Sequence, residues 1–353
     1  MNKNVAIIRE SEMNWLARIP KVELHLHLEG AIPYDVLWEL VQKYGRDPSV
    51  PDLEALKRRF EYRDFAHFIE AWIWKNQFLR EYQDFTFVAE AVARDLARQN
   101  IRYVEAFFSP PDFARHGLET QKLAEAIRIG LSRVPEIKVV LVADLVRDFG
   151  PQRAAVTLAE VSEVQDQGVI GIGIGGSEQE FPPGQFEEVY QEARRLGFHT
   201  SAHAGEAAGA ESVWGAIRSL QVDRIGHGTR AEEDESLLDY LAERQIPLEM
   251  CPLSNLRTGI VTSLVKHPIR RYLTRGIIVT VSTDDPKMFG NSLTEEFLSL
   301  EEELDFSRDE IRTLILQSIR ASWLPENKKQ QWVESFCQDP AWQEMPCDLC
   351  SAP

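Results

Sequence analysis

Eight short apolar runs alternate with longer amphipathic ones along 353 residues, and that alternation predicts a (β/α)8 barrel with a helical insertion after its first strand. Three observations carry the prediction. The runs number eight, as a closed barrel of parallel strands requires. Between most of them lies a helical pattern such as "AEAIRIGLSRV" or "FEEVYQEARRLG", often ending on the Gly that helix C-termini favour. Several runs also end in polar residues, although a buried strand should be apolar, and barrel closure brings all strand ends to one rim.

The first run, "VELHLHL" at 22–28, sets His25 and His27 two residues apart. On a strand they share one face, with Leu24, Leu26 and Leu28 on the other. Roughly seventy residues then intervene before the second run, "IRYVEAFFS" at 101–109, more than one βα unit needs. They are aromatic and helical in spacing, and they sit where barrel active sites form. The expectation is one domain over 1–353 with a helical lid at about 30–100. Its "WIWKNQF" could line an apolar pocket or simply pack the insertion on the barrel. The remaining runs are "KVVLVADLV" (138–146), "VIGIGIGG" (169–176), "HTSAHAG" (199–205), "RIGHG" (224–228), "PLEMCPLS" (247–254) and "IIVTVSTDD" (277–285).

Composition narrows the setting. A hydrophobic content of 44% supplies a sizeable core, and a formal charge of −17 argues against a nucleic-acid ligand, which needs a basic surface. Four cysteines in so long a chain make no disulfide framework, so a reducing, cytoplasmic compartment is expected. Charges interrupt "MNKNVAIIRESEMNWLARIP", which reads as neither a signal peptide nor a membrane span.

The polar strand ends read as a site. Run one ends in His25, His27 and Glu29, run four in Gly175 and Gly176, and run five in His203 and Glu206. Run six ends in His227 and run eight in Asp284 and Asp285. A His-x-His pair, one further His and an Asp make three nitrogens and one oxygen, a set that suits zinc. The fourth run holds no lysine to bridge two ions, so one ion per chain is expected. Zinc brings the pKa of bound water near neutrality, and the chemistry then needs a proton carrier. Glu206, three residues past His203, is placed for that shuttle. His227, between two glycines, could orient the attacking hydroxide. Consecutive aspartates point in different directions, so one can ligate while the other meets the substrate. His67, His116, His199 and His267 take no role. Gly171, Gly173 and Gly176 spell a dinucleotide-type pattern, but inside an apolar run rather than in a turn entering a helix, so no such cofactor is expected. "CDLC" at 347–350 has no second pair and reads as a solvated tail.

"ELHLHLEG", "SAHAGE", "RIGHG", "EMCPLSN" and "STDDP", in this order from about residue 20 to beyond 290, resemble the adenosine deaminase family of the amidohydrolase superfamily. The resemblance implies zinc on His25, His27, His203 and Asp284, and Glu206 as the acid that protonates ring N1. It implies His227 beside the hydroxide, Asp285 holding purine N7, and the Gly176 N–H facing N3. It implies hydrolytic deamination of a 6-aminopurine, an adenosine-type nucleoside first. The alternatives are adenine or 6-amino-6-deoxyfutalosine, and then a non-deaminase metal hydrolase. Glu29 stands where adenosine-acting members carry Asp, near the ribose, and "GIGGSE" lacks two acids of the family's fourth strand, at Gly173 and Ser177. With no Lys/Arg cluster around the motifs, a 5′-phosphate is not expected.

Overall fold

The computed structural model describes residues 15–45, 47–62 and 65–344. Its eight strands are β1 (Lys21–His27), β2 (Ile101–Phe108), β3 (Lys138–Asp144), β4 (Val169–Gly173), β5 (His199–Ala204), β6 (Arg224–His227), β7 (Leu248–Met250) and β8 (Val279–Val281). Each pairs in parallel with the next in sequence. The ring closes on a bridge between Leu26 and Asp284, where the His27 N–H donates to the Asp284 carbonyl at 2.8 Å and the Asp284 N–H to the His25 carbonyl at 3.1 Å. This is the predicted (β/α)8 barrel. β1 is buried along its whole length, as a strand packed on both faces must be.

The apolar runs overran the strands at their C-terminal ends. β7 stops at Met250 because Pro252, which cannot donate to a ladder, opens the helix Pro252–Arg257. β8 stops at Val281, and Pro286 opens Pro286–Phe289. β4 ends at Gly173, and Glu29 lies in a 3-10 turn after β1. Glu29, Gly176, Glu206, Asp284 and Asp285 therefore sit just above the strands, while His25, His27, His203 and His227 lie at or near strand ends.

Between β1 and β2 run four helices: α1 (Tyr34–Lys43), α2 (Leu53–Arg58), α3 (Phe65–Asn76) and α4 (Tyr82–Arg98). Asp52 caps α2 by accepting from the Ala55 N–H at 2.7 Å. Asp84 accepts from the Arg80 and Glu81 N–H groups at 2.9 and 3.0 Å and from Lys43 and Tyr44 at 2.6 Å, which ties the end of α1 to the start of α4. The dinucleotide-like glycines serve packing. A Cβ on Gly171 would meet the Trp323 ring at 2.6 Å, and one on Gly173 would meet the Phe107 ring at 2.4 Å. No helix among the described residues is long and apolar enough to cross a membrane. "CDLC" lies outside the described residues.

Candidate metal centre and active site

The β1 alternation delivers His25 and His27 to the barrel axis, where they meet His203 from β5 and Asp284 from the loop after β8. His203 Nε2 lies 3.1 Å from His25 Nε2 and 3.3 Å from His27 Nε2. Asp284 Oδ1 lies 3.5 and 3.4 Å from the same two nitrogens. Tetrahedral donors at about 2.0–2.1 Å from an ion stand about 3.3 Å apart, so these four contacts have a metal's spacing. A candidate ligand atom of His227 also falls within 4.8 Å of those of His25, His203 and Asp284.

Hydrogen bonds decide between the histidines. Asn255 Oδ1 accepts from Thr229 Oγ1 at 2.7 Å and lies 3.2 Å from His267 Nε2. This turns its amide N–H toward His227 Nδ1, 3.1 Å away. His227 then carries its proton on Nε2, which faces Glu206 Oε2 at 3.6 Å and has no lone pair for a metal. His25 is opposite: its Nδ1 is 2.8 Å from Glu249 Oε2 and donates there, leaving the Nε2 lone pair inward. Arg224 holds Glu249 from behind. Ser254 Oγ donates to Asp284 Oδ2 at 2.7 Å, leaving Oδ1 for the centre.

Burial pushes His27 down to about 3, His227 to about 4 and His203 well below its usual value, so all three are neutral, the form a metal requires. Burial also opposes charge on His25, but hydrogen bonds to Asp284 and Glu249 outweigh it and raise the group to about 10. Without an ion, His25 therefore also carries a proton on Nε2, which an arriving metal must displace before that lone pair can bind it. Asp284 and His227 both have left-handed backbones, φ 66° and 61°, rare for residues with a Cβ and costly enough to mark a site.

Glu206 and Asp285 are buried beside this centre. Burial raises both carboxyls well above the usual range, and the neighbouring Asp284 charge adds to it. Both carboxyls are thus biased toward the protonated, proton-donating form. Glu206 is carried on a loop tied down by Glu178, whose carboxylate accepts from the N–H groups of Gly205, Glu206, Ala207 and Ala208 at 2.6–3.2 Å. Arg147 fixes the other side of that loop by donating to the His203 carbonyl at 2.6 Å. Asp285 Oδ1 packs where a Cβ on Gly30 would lie, 1.7 Å away, and has no hydrogen-bond partner among the described residues. Gly30 therefore makes room for that carboxyl.

A cavity of about 520 Å³ opens above the centre, with His27, Gly176, His203, Glu206, His227 and Asp285 on its wall. Glu29, expected at the substrate, is not on that wall. It is buried behind it, its Oε1 accepting from the Ser109 N–H at 2.9 Å, and burial raises it to about 7. The "WIWKNQF" stretch divides: Trp72, Ile73 and Asn76 line the cavity, while Trp74 turns away to bond Asp47. His199 stacks on Trp323, outside the site, but His267, given no role from the sequence, supports Asn255. Also missed were Ser109, Asp112, Arg115, Asp144 and Arg153, which line the cavity from the end of β3 and from the segments that follow β2 and β3. The polar ends of "FFSPPDF" and "VADLV" were the available signal.

A barrel with inward histidines on β1, a further His on β5, an Asp after β8 and acids poised beside them defines a metal-dependent hydrolase of the amidohydrolase type. The sequence model of the adenosine deaminase family matches residues 20–338, and the chain belongs to that family and is an aminohydrolase. It is 34% identical over 324 residues to an adenine deaminase of Wolinella succinogenes, covering 91% of this chain and 98% of the relative. It is 36% identical over 317 residues to an aminodeoxyfutalosine deaminase of Streptomyces avermitilis, covering 88% of each. The structure of an adenine deaminase from Arthrobacter aurescens superposes with a TM-score of 0.86 at 30% identity, over 91% of this chain and 98% of that one. A Burkholderia ambifaria amidohydrolase with bound Zn superposes with a TM-score of 0.85 at 26% identity, over 92% and 91%.

Proposed function

We propose that the chain holds one zinc ion on His25, His27, His203 and Asp284 and hydrolyses the exocyclic amine of a 6-aminopurine, with an adenosine-type nucleoside as first choice. The observation that carries this is the approach of His203 Nε2 and Asp284 Oδ1 to both His25 and His27 Nε2 at 3.1–3.5 Å, with Glu206 and the His227 Nε2 beside them. Bound zinc would lower the pKa of water in the cavity toward neutrality and so supply the nucleophile.

The chain's own groups manage the rest. Asp285, held protonated, donates to ring N7, and the Gly176 N–H faces N3. Glu206 takes the first proton of the attacking water and passes it to N1, which makes C6 electrophilic, while the His227 Nε2–H orients the oxygen. The new C6–O bond forms, and Glu206 relays the oxygen's proton to the amine. The C6–N bond then breaks with release of ammonia, so the two protons of water end on N1 and on the leaving amine. Adenine is the second reading, favoured by the relatives' names; the cavity volume favours a larger substrate.

The test is ammonia release from adenine, adenosine, deoxyadenosine, AMP and 6-amino-6-deoxyfutalosine, compared as kcat/KM. A zinc-loaded enzyme inert on all five would remove the proposal. Asp285→Ala should keep its metal yet lose about tenfold or more in kcat/KM, as expected for a buried hydrogen bond. Asp285→Asn should recover part of that, because an amide N–H can still donate to N7. Equal losses in the two variants would exclude the donor role.

A further inference from the structure

The Gly176 N–H belongs to a peptide group whose other end is the Gly175 carbonyl. The segment that follows β3 takes up the backbone groups around that peptide. The Gly175 N–H donates to Asp144 Oδ1 at 2.8 Å. The Gly175 carbonyl accepts from the Arg147 N–H at 2.9 Å. The Ser177 N–H donates to Asp148 Oδ2 at 2.8 Å, and the Ser177 hydroxyl donates to Asp148 Oδ1. Among the described residues, the Gly176 N–H between them has no protein partner, and Gly176 lines the cavity.

The two carboxylates stand where the fourth strand has lost its own. "GIGGSE" carries no acid at Gly173 or Ser177. Asp144 lies opposite Gly173 in the β3–β4 register, and Asp148 reaches Ser177 from the loop beyond. Packing explains the transfer to the neighbouring strand. A Cβ on Gly173 would meet the Phe107 ring at 2.4 Å, and that ring stacks on His27 with centroids 5.1 Å apart. A Cβ on Gly176 would meet Asp148 Oδ2 at 1.9 Å, so only glycine lets that carboxylate pass to Ser177. Val146, between the two acids, has φ 48°, a left-handed backbone that a β-branched residue rarely adopts. Such a conformation persists only where its surroundings hold it. Here Asp144 Oδ1 also accepts from the Val146 N–H at 3.0 Å. One buried carboxylate therefore fixes the strained turn of one loop and the N–H of the next.

We propose that Asp144 and Asp148 are positioning residues that aim the Gly176 N–H at purine N3; this role rests on the purine orientation of the proposed function. The Arg147 N–H on the carbonyl end of the same peptide polarises it and strengthens its N–H as a donor. The test measures, on the zinc-loaded enzyme, the inhibition constants of 3-deaza and 7-deaza counterparts of adenosine or adenine, whichever is turned over faster. The 7-deaza ligand keeps N3 and the 3-deaza ligand lacks it. Asp144→Ala should weaken the 7-deaza ligand by about tenfold, the worth of a hydrogen bond to a buried donor, and leave the 3-deaza ligand nearly unchanged. Asp285→Ala should show the opposite pattern. Asp144→Asn should retain most of the N3 contact, because its amide oxygen still accepts from the Gly175 and Val146 N–H groups. Asp148→Ala should shift the two ligands in the same sense as Asp144→Ala, and less. Its carboxylate is exposed, so that variant decides the matter should Asp144→Ala fail to fold. Equal losses for both ligands, or an unaltered ratio between them, would overturn the proposal. Failure of both ligands to compete with substrate in the wild type would instead strike the purine reading beneath it.

Discussion

Glu206→Gln is expected to abolish nearly all turnover while leaving the metal in place. Glutamine keeps the shape of the side chain, and the loop beneath it is held through backbone N–H groups by Glu178, which the substitution does not touch. The amide has no proton to deliver to N1 and cannot relay one to the leaving amine. Loss of a single general acid costs about 10²–10⁴-fold, and a group that serves two transfers should lie at or above the upper end. Burial first, and then the charges of Asp284 and Glu178, hold the wild-type carboxyl well above its ordinary value. Because the protonated form is the active one, kcat/KM should fall as pH rises through that raised value rather than near the value of an exposed glutamate. Ammonia release across pH, alongside metal analysis of the variant, makes the measurement. A glutamine variant working within a few fold of wild type would show that another group carries the proton.

His27→Ala should lose metal and activity together. It removes one of four donors whose spacing already suits an ion, and the imidazole it removes is held neutral and ready to bind. A metal that binds the folded state stabilises it by mass action. Adding zinc to chelator-stripped protein should therefore raise the melting temperature of the wild type and leave that of His27→Ala nearly unchanged. About one equivalent of zinc should restore wild-type ammonia release, and the variant should show none at the same zinc concentration. Stoichiometric metal and wild-type turnover in His27→Ala would remove His27 from the ligand set.

The local chemistry of this chain was legible before any folding was considered. A period of two in "VELHLHL" puts two imidazoles on one face whatever surrounds them, because strand geometry is a property of the backbone. Eight apolar runs with helices between them define the barrel, and a barrel collects strand ends at one rim. His25, His27, His203, Glu206, His227, Asp284 and Asp285 could all be named on that basis.

What folding alone decided lies in contacts between distant residues. His25 takes its tautomer from Glu249, 224 positions away, and His227 takes its own from Asn255. No spacing in the chain encodes either bond, yet together they support the proposed division, one histidine for a metal and the other for a proton. Glu29 shows the reverse: its motif suggests a substrate contact, but the turn after β1 buries it against the Ser109 N–H. Arg115 carries no motif, and only the arrangement of the loop after β2 brings its charge to the cavity mouth. Backbone periodicity is set by near neighbours and can be read along the chain; the orientation of a side chain in a shared cavity is set by whatever the fold packs against it.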